Sequence, residues 1–129
     1  MGMPGRILVI DEYELVAFMD MLLTSDGFAV ETATTTALAG ERLASVPLDL
    51  VISDLRMWGT APTDLLSLMG AGSDGLPAIP LLVCTGAVED VSGPAAWLRP
   101  GVVEALEKPF DIEELLACVT RLMPIGRRR

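Results

Sequence analysis

The sequence predicts a single α/β domain: a doubly wound, five-stranded parallel sheet with helices on both faces. Three observations predict it. Short apolar runs rich in Val, Ile and Leu recur five times, separated by stretches of helical periodicity or turn residues. The first and third of these runs end in an acid, and the fourth runs into Thr-Gly. The length is 129 residues, 51% hydrophobic and 21% charged, which suits one compact domain with an ordered core.

Arg6-Ile-Leu-Val-Ile-Asp11 reads as a buried strand closed by acids. A helix follows, with Leu15, Phe18, Met19, Leu22 and Leu23 spaced along one face, and Asp26-Gly27 stops it. Residues 28–33 read as the second strand, 36–44 as a weaker helix low in large apolar residues, and 49–54 as the third strand. Pro62 suits the first turn of a helix carrying Leu65, Leu66 and Met69. A Gly-rich loop, 70–75, leads into a fourth strand at 79–84, and 102–106 is a short fifth. Between these two, Gly93-Pro94 and Pro100 leave room only for a short or irregular fourth helix. The last helix opens on a capping box of Asp111 and Glu114, and its expected buried stripe is Ile112, Leu115, Leu116, Val119 and Leu122. Residues 1–5 are expected to be disordered or an expression remnant, and 124–129 a solvated basic tail with no room for a second domain.

Composition excludes much. No apolar run approaches the ~18 residues needed to span a bilayer, and no signal peptide opens the chain, so a soluble, cytoplasmic protein is expected. Acids outnumber bases 18 to 9, a net charge of −9, which argues against a nucleic-acid surface. Without histidine, Ser-His, Cys-His and zinc-His mechanisms are ruled out. Cys84 and Cys118 lie in apolar runs and read as buried free thiols. Lys108 is the sole lysine among the 9 basic residues, which suggests a site where a guanidinium would not fit.

In open α/β sheets, sites form outside the carboxyl ends of the strands. That rim carries Asp11 and Glu12, Asp54, Thr85 and Lys108. If strands one and three are neighbours, three carboxylates share a pocket. Two carboxylates ~4 Å apart repel by roughly 4 kcal/mol at an effective dielectric near 20, so such a cluster shifts its pKa values or holds a cation, Mg²⁺ being natural for oxygen ligands. A carboxylate such as Asp54 can then attack phosphorus, with Lys108, the Thr85 hydroxyl and backbone amides near Gly86 neutralising the incoming oxygens. Each residue alone has a plainer reading. Asp11-Glu12 is a polar helix start, Asp54 a turn residue, Thr85-Gly86 a strand end and Lys108 a solvated lysine. Their order along successive strand ends is what those readings leave unexplained.

Ile-Leu-Val-Ile-Asp11-Glu12, Ser-Asp54-Leu-Arg-Met, Val-Cys-Thr85-Gly86 and Glu-Lys108-Pro109-Phe together resemble the receiver domains of two-component response regulators, over about residues 6–123. The resemblance implies a flavodoxin-like fold with strand order 2-1-3-4-5. It implies phosphoryl transfer to Asp54 from a sensor histidine kinase or histidine phosphotransfer protein. It implies Mg²⁺ held by Glu12, Asp54 and the backbone carbonyl of Arg56, with Asp11 assisting through water. Thr85 and Lys108 would contact the phosphoryl group, and Lys108-Pro109 would be cis. Output would be an altered contact with a downstream effector protein or domain, not turnover of an external substrate, and such domains also pair as homodimers through several faces.

The sequence departs from the family at Glu12, where Asp is usual, at Trp58, where Pro is common, and at Ala105, where Tyr or Phe is usual. The longer carboxylate is expected to move the metal or weaken its binding. Without a ring at 105 the usual Thr-aromatic switch cannot operate as such, leaving Trp97 or the short fourth helix to transmit the change. The alternative these departures favour is a degenerate receiver that binds partners without phosphorylation. A Mg²⁺-dependent phosphohydrolase lacks its acid partner, since Arg56 stands there, and a nucleotide or flavin binder lacks a Gly-rich cradle. On the first helix Tyr13, Val16, Ala17 and Met21 lie off the expected stripe, read first as scattered surface residues and second as a kinase-docking patch.

Overall fold

Five parallel strands and the helices between them make up the computed structural model, which describes residues 4–86 and 97–123. In chain order they are β1 (Arg6–Ile10), α1 (Tyr13–Ser25), β2 (Ala29–Ala33), α2 (Thr36–Ser45), β3 (Leu50–Asp54), a 3-10 turn (Leu55–Trp58), α3 (Thr63–Leu68), β4 (Leu81–Thr85), β5 (Val103–Glu107) and α4 (Ile112–Leu122). The strands lie in the order β2-β1-β3-β4-β5, every pair parallel, as expected. The short helix expected between β4 and β5 falls at 87–96, outside the described residues, as does the tail 124–129. Gly5, assigned from sequence to a disordered start, is buried, and its carbonyl accepts from the amide of Ala29 at 2.9 Å.

Alternation along the strands divides the interior into two cores. Ile7 and Val9, Leu50 and Ile52, Leu82 and Cys84, and Leu106 face α1 and α4, where Val16, Met19 and Leu23 meet Leu115, Cys118, Val119 and Leu122. Leu8 and Ile10, Val51, Leu81 and Val83, and Val103 face α2 and α3, where Ala39 meets Leu65, Leu66 and Met69. The central strands β3 and β4 are buried along their whole length, which is why their sequences read as unbroken apolar runs.

Two helix faces differ from expectation. In α1 the buried set is Val16, Met19 and Leu23, while Phe18 is 42% exposed, so the helix is turned by about one residue from the expected stripe. Val16 therefore leaves the proposed surface patch, whereas Tyr13 and Met21 are exposed. Apolar residues occur almost all round α1, so spacing alone did not fix the rotation. In α4 the capping box forms, Asp111 accepting from the Glu114 amide at 2.7 Å and Glu114 from the Asp111 amide at 3.2 Å. Ile112, however, is 45% exposed, because the first turn starts at the rim where the strands end.

β5 is tied to α4 by the Arg121–Glu104 ion pair, and that guanidinium holds the Glu104 carboxyl below its ordinary value. Both cysteines are free and buried, as expected. Burial pushes the Cys84 thiol from its ordinary 9.0 up to about 12. Because the folded value is the higher, the stability this implies is whole below about pH 9 and fades as pH rises toward 12. Cys84 should therefore resist iodoacetamide at pH 8 in the native protein and react in urea, read by mass spectrometry of its peptide.

Candidate functional site

The same alternation that builds the α1/α4 core delivers the site. Asp11 follows Ile7 and Val9 at the next position of that phase, Asp54 follows Leu50 and Ile52, and Lys108 follows Leu106. Since β1, β3, β4 and β5 are parallel and paired in register, these side chains and Thr85 arrive together at one end of the sheet.

Asp11, Asp54 and Thr85 are all buried. Lys108 Nζ lies 3.0 Å from Asp11 Oδ2 and 3.5 Å from Asp54 Oδ1, so one ammonium stands between two buried carboxylates. The lysine is held in place from its backbone, whose amide donates to the Thr85 carbonyl at 2.7 Å, and the Lys108-Pro109 bond is cis, as expected. Asp11 Oδ1 accepts from the Glu12 amide at 2.7 Å, so each carboxylate oxygen of Asp11 has a partner. Glu12 itself is exposed at the start of α1 and shares an open cleft of about 300 Å³ with Thr34, Asp54, Arg56 and Met57.

The expected pocket of three carboxylates is thus not formed as such. Among the described residues, no three Asp, Glu, Cys or His side chains are grouped to cage a metal. Asp11 is turned to Lys108, and two carboxylates, Glu12 and Asp54, face the cleft. That donor set still fits Mg²⁺, which needs only one or two carboxylates and keeps several waters.

The 3-10 turn after β3 and the segment after β2 contribute features the sequence reading missed. The Arg56 guanidinium reaches back to the acceptor candidate, Nε to Asp54 Oδ2 at 3.4 Å, and the Arg56 amide donates to Asp54 Oδ1 at 3.4 Å. Trp58 Nε1 donates to the buried hydroxyl of Ser53 at 2.8 Å, from the α2/α3 side of the sheet. Thr34, from the segment after β2, lines the cleft. A tight turn returning residues 56 and 58 onto 53 and 54 has no sequence signal beyond an Asp that can cap it. Ala105 is half-buried in register with Val83. Trp97 packs on the α2/α3 core, away from this cleft, its indole N–H buried without a partner among the described residues.

Comparison with known proteins bears on the family and the fold. The family model described as response regulator receiver domain matches residues 7–120. The transcriptional regulatory protein GlrR of Escherichia coli K12 is 33% identical over 117 residues, 90% of this chain and 26% of that protein. Response regulator MprA of Mycolicibacterium vanbaalenii is 34% identical over 122 residues, 94% of this chain and 51% of that protein. The chain therefore spans between about a quarter and a half of these relatives' length. Among solved structures, full-length FixJ from B. japonicum superposes with a TM-score of 0.73 at 30% identity, covering 95% of this chain and 61% of that one. The receiver domain of the sensor histidine kinase PA1611 from Pseudomonas aeruginosa, described with magnesium in its active-site cleft, has a TM-score of 0.71 at 20% identity, covering 93% and 98%.

Lys108→Met should leave Asp11 and Asp54 facing one another without their shared cation. A loss of about 1–3 kcal/mol in urea unfolding is expected, smaller when Asp11→Asn is present, so that the four proteins show coupling in a double-mutant cycle.

Proposed function

The chain belongs to the response regulator receiver domains of two-component signalling, and on that premise we propose that Asp54 accepts a phosphoryl group from a sensor histidine kinase or histidine phosphotransfer protein. The observation that carries the reading is the placement of Lys108 Nζ, 3.5 Å from Asp54 and 3.0 Å from Asp11 at the carboxyl rim of the sheet. In the transfer an Asp54 oxygen attacks phosphorus, an O–P bond forms, and the bond from phosphorus to the donor's histidine nitrogen breaks. Lys108 balances charge on the transferring oxygens, and the Thr85 hydroxyl donates to one of them. Asp11, bonded to Lys108, orients the ammonium. Glu12, Asp54 and the backbone carbonyl of Arg56, with Asp11 assisting through water, would hold Mg²⁺, which would supply further charge neutralisation.

Signalling then follows through altered contact with a downstream effector protein or domain. The domain is a signalling module, without turnover of an external substrate, working in the cytoplasm. Residues 6–123 are the receiver and 124–129 a basic extension. No helix among the described residues is long and apolar enough to cross a membrane. A second reading, the degenerate receiver acting as a phosphorylation-independent interaction module, is favoured by one observation: Asp11 is bonded to Lys108, so Glu12 and Asp54 face the cleft without a third carboxylate to complete the group among the described residues.

Incubation with Mg²⁺ and acetyl phosphate separates the two. A single phosphoryl adduct by intact mass on the wild type, and none on Asp54→Asn, is expected. No adduct on the wild type, with one restored by Glu12→Asp, would favour the degenerate reading and identify the lost ligand.

A further inference from the structure

The acceptor carboxylate has a different cation on each oxygen. Lys108 approaches Asp54 Oδ1 and is anchored, its side chain 20% exposed and also bonded to Asp11. The Arg56 guanidinium approaches Oδ2, and its side chain is 73% exposed. Arg56 and Asp54 line the same cleft as Glu12, the residue proposed to share the metal. A cation bound between Glu12 and Asp54 would therefore share the Asp54 carboxylate with that guanidinium.

We propose that the Arg56 side chain is a built-in counter-ion of Asp54 that competes with Mg²⁺ for this carboxylate, so that metal loading requires the guanidinium to swing out into solvent. The inference rests on the reading of Asp54 and Glu12 as metal ligands and adds to it a positioning residue that tunes metal affinity. Two features make the exchange feasible. The contact is long, at 3.4 Å, and the Arg56 side chain is 73% exposed although Asp54 is buried, so the guanidinium can leave for solvent. The Arg56 amide caps Asp54 Oδ1 independently of the side chain, so the turn keeps its backbone bond when the guanidinium leaves. Like-charge repulsion between a divalent ion and a guanidinium in one cleft opposes their coexistence there.

The test is a Mg²⁺ titration of wild type, Arg56→Met, Arg56→Lys and Asp54→Asn, read by calorimetry and by tryptophan emission, since Trp58 is bonded to Ser53 beside the acceptor. Arg56→Met keeps most of the stem and removes the charge. It should bind Mg²⁺ about two- to five-fold more tightly than wild type, the range a long ion pair with a solvent-exposed guanidinium supports. Arg56→Lys should fall back toward wild type, and added monovalent salt should narrow the difference between Arg56→Met and wild type. Equal or weaker binding by Arg56→Met, with binding lost in Asp54→Asn, would overturn the competition while leaving the metal site standing. Absence of binding in every protein, or binding unchanged by Asp54→Asn, would overturn the metal reading itself and the competition with it.

Discussion

Two carboxylates buried at the end of adjacent strands repel each other, and the ammonium of Lys108 is what lets Asp11 and Asp54 occupy the same few ångströms. At about 4 Å and an effective dielectric near 20, each unit-charge pair is worth roughly 4 kcal/mol. One central cation therefore turns a repulsive pair into an attractive trio. The arrangement makes demands on everything beneath it. β1 must lie beside β3, β5 must end level with both, and the lysine must be held from its backbone. Those are the strand order, the parallel register and the amide bond from Lys108 to the Thr85 carbonyl.

The same constraint explains why the site is asymmetric about the sheet. Asp11, Asp54 and Lys108 continue the phase of residues that pack under α1 and α4, whereas Ser53 continues the opposite phase and is held by Trp58. The turn after β3 thus grips that strand from both sides, through the Trp58 indole on one and the Arg56 side chain and amide on the other. Where the family commonly carries a proline, this chain uses an indole hydrogen bond to fix the loop beside the acceptor.

Much of this was legible before any coordinates. The strands appear as unbroken apolar runs because β3 and β4 are buried on both faces, and the capping box of α4 is a local chemical pattern. Asp11, Asp54, Thr85 and Lys108 could be placed on one rim because parallel strands put all their carboxyl ends together. What stayed hidden depends on rotation or on reach. The face of α1 was ambiguous because Leu15, Val16, Phe18, Met19 and Met21 surround the helix, and only packing on the sheet selects Val16, Met19 and Leu23. Ile112 fits the α4 period yet lies beyond the end of the strands. The Arg56 contact depends on a flexible side chain, and no periodicity encodes where a long side chain folds back.

The division of the interior by the sheet has a consequence for how such a module can diverge. Only the strand residues are common to the two cores, and their alternate positions point to different ones. Substitutions under α2 and α3 should combine nearly additively with those under α1 and α4. One helical layer can then drift through many sequences while the opposite layer, which carries the phase of Asp11, Asp54 and Lys108, stays unchanged. The sheet acts as a partition between a chemistry that is held in place by packing and a surface free to acquire new listeners.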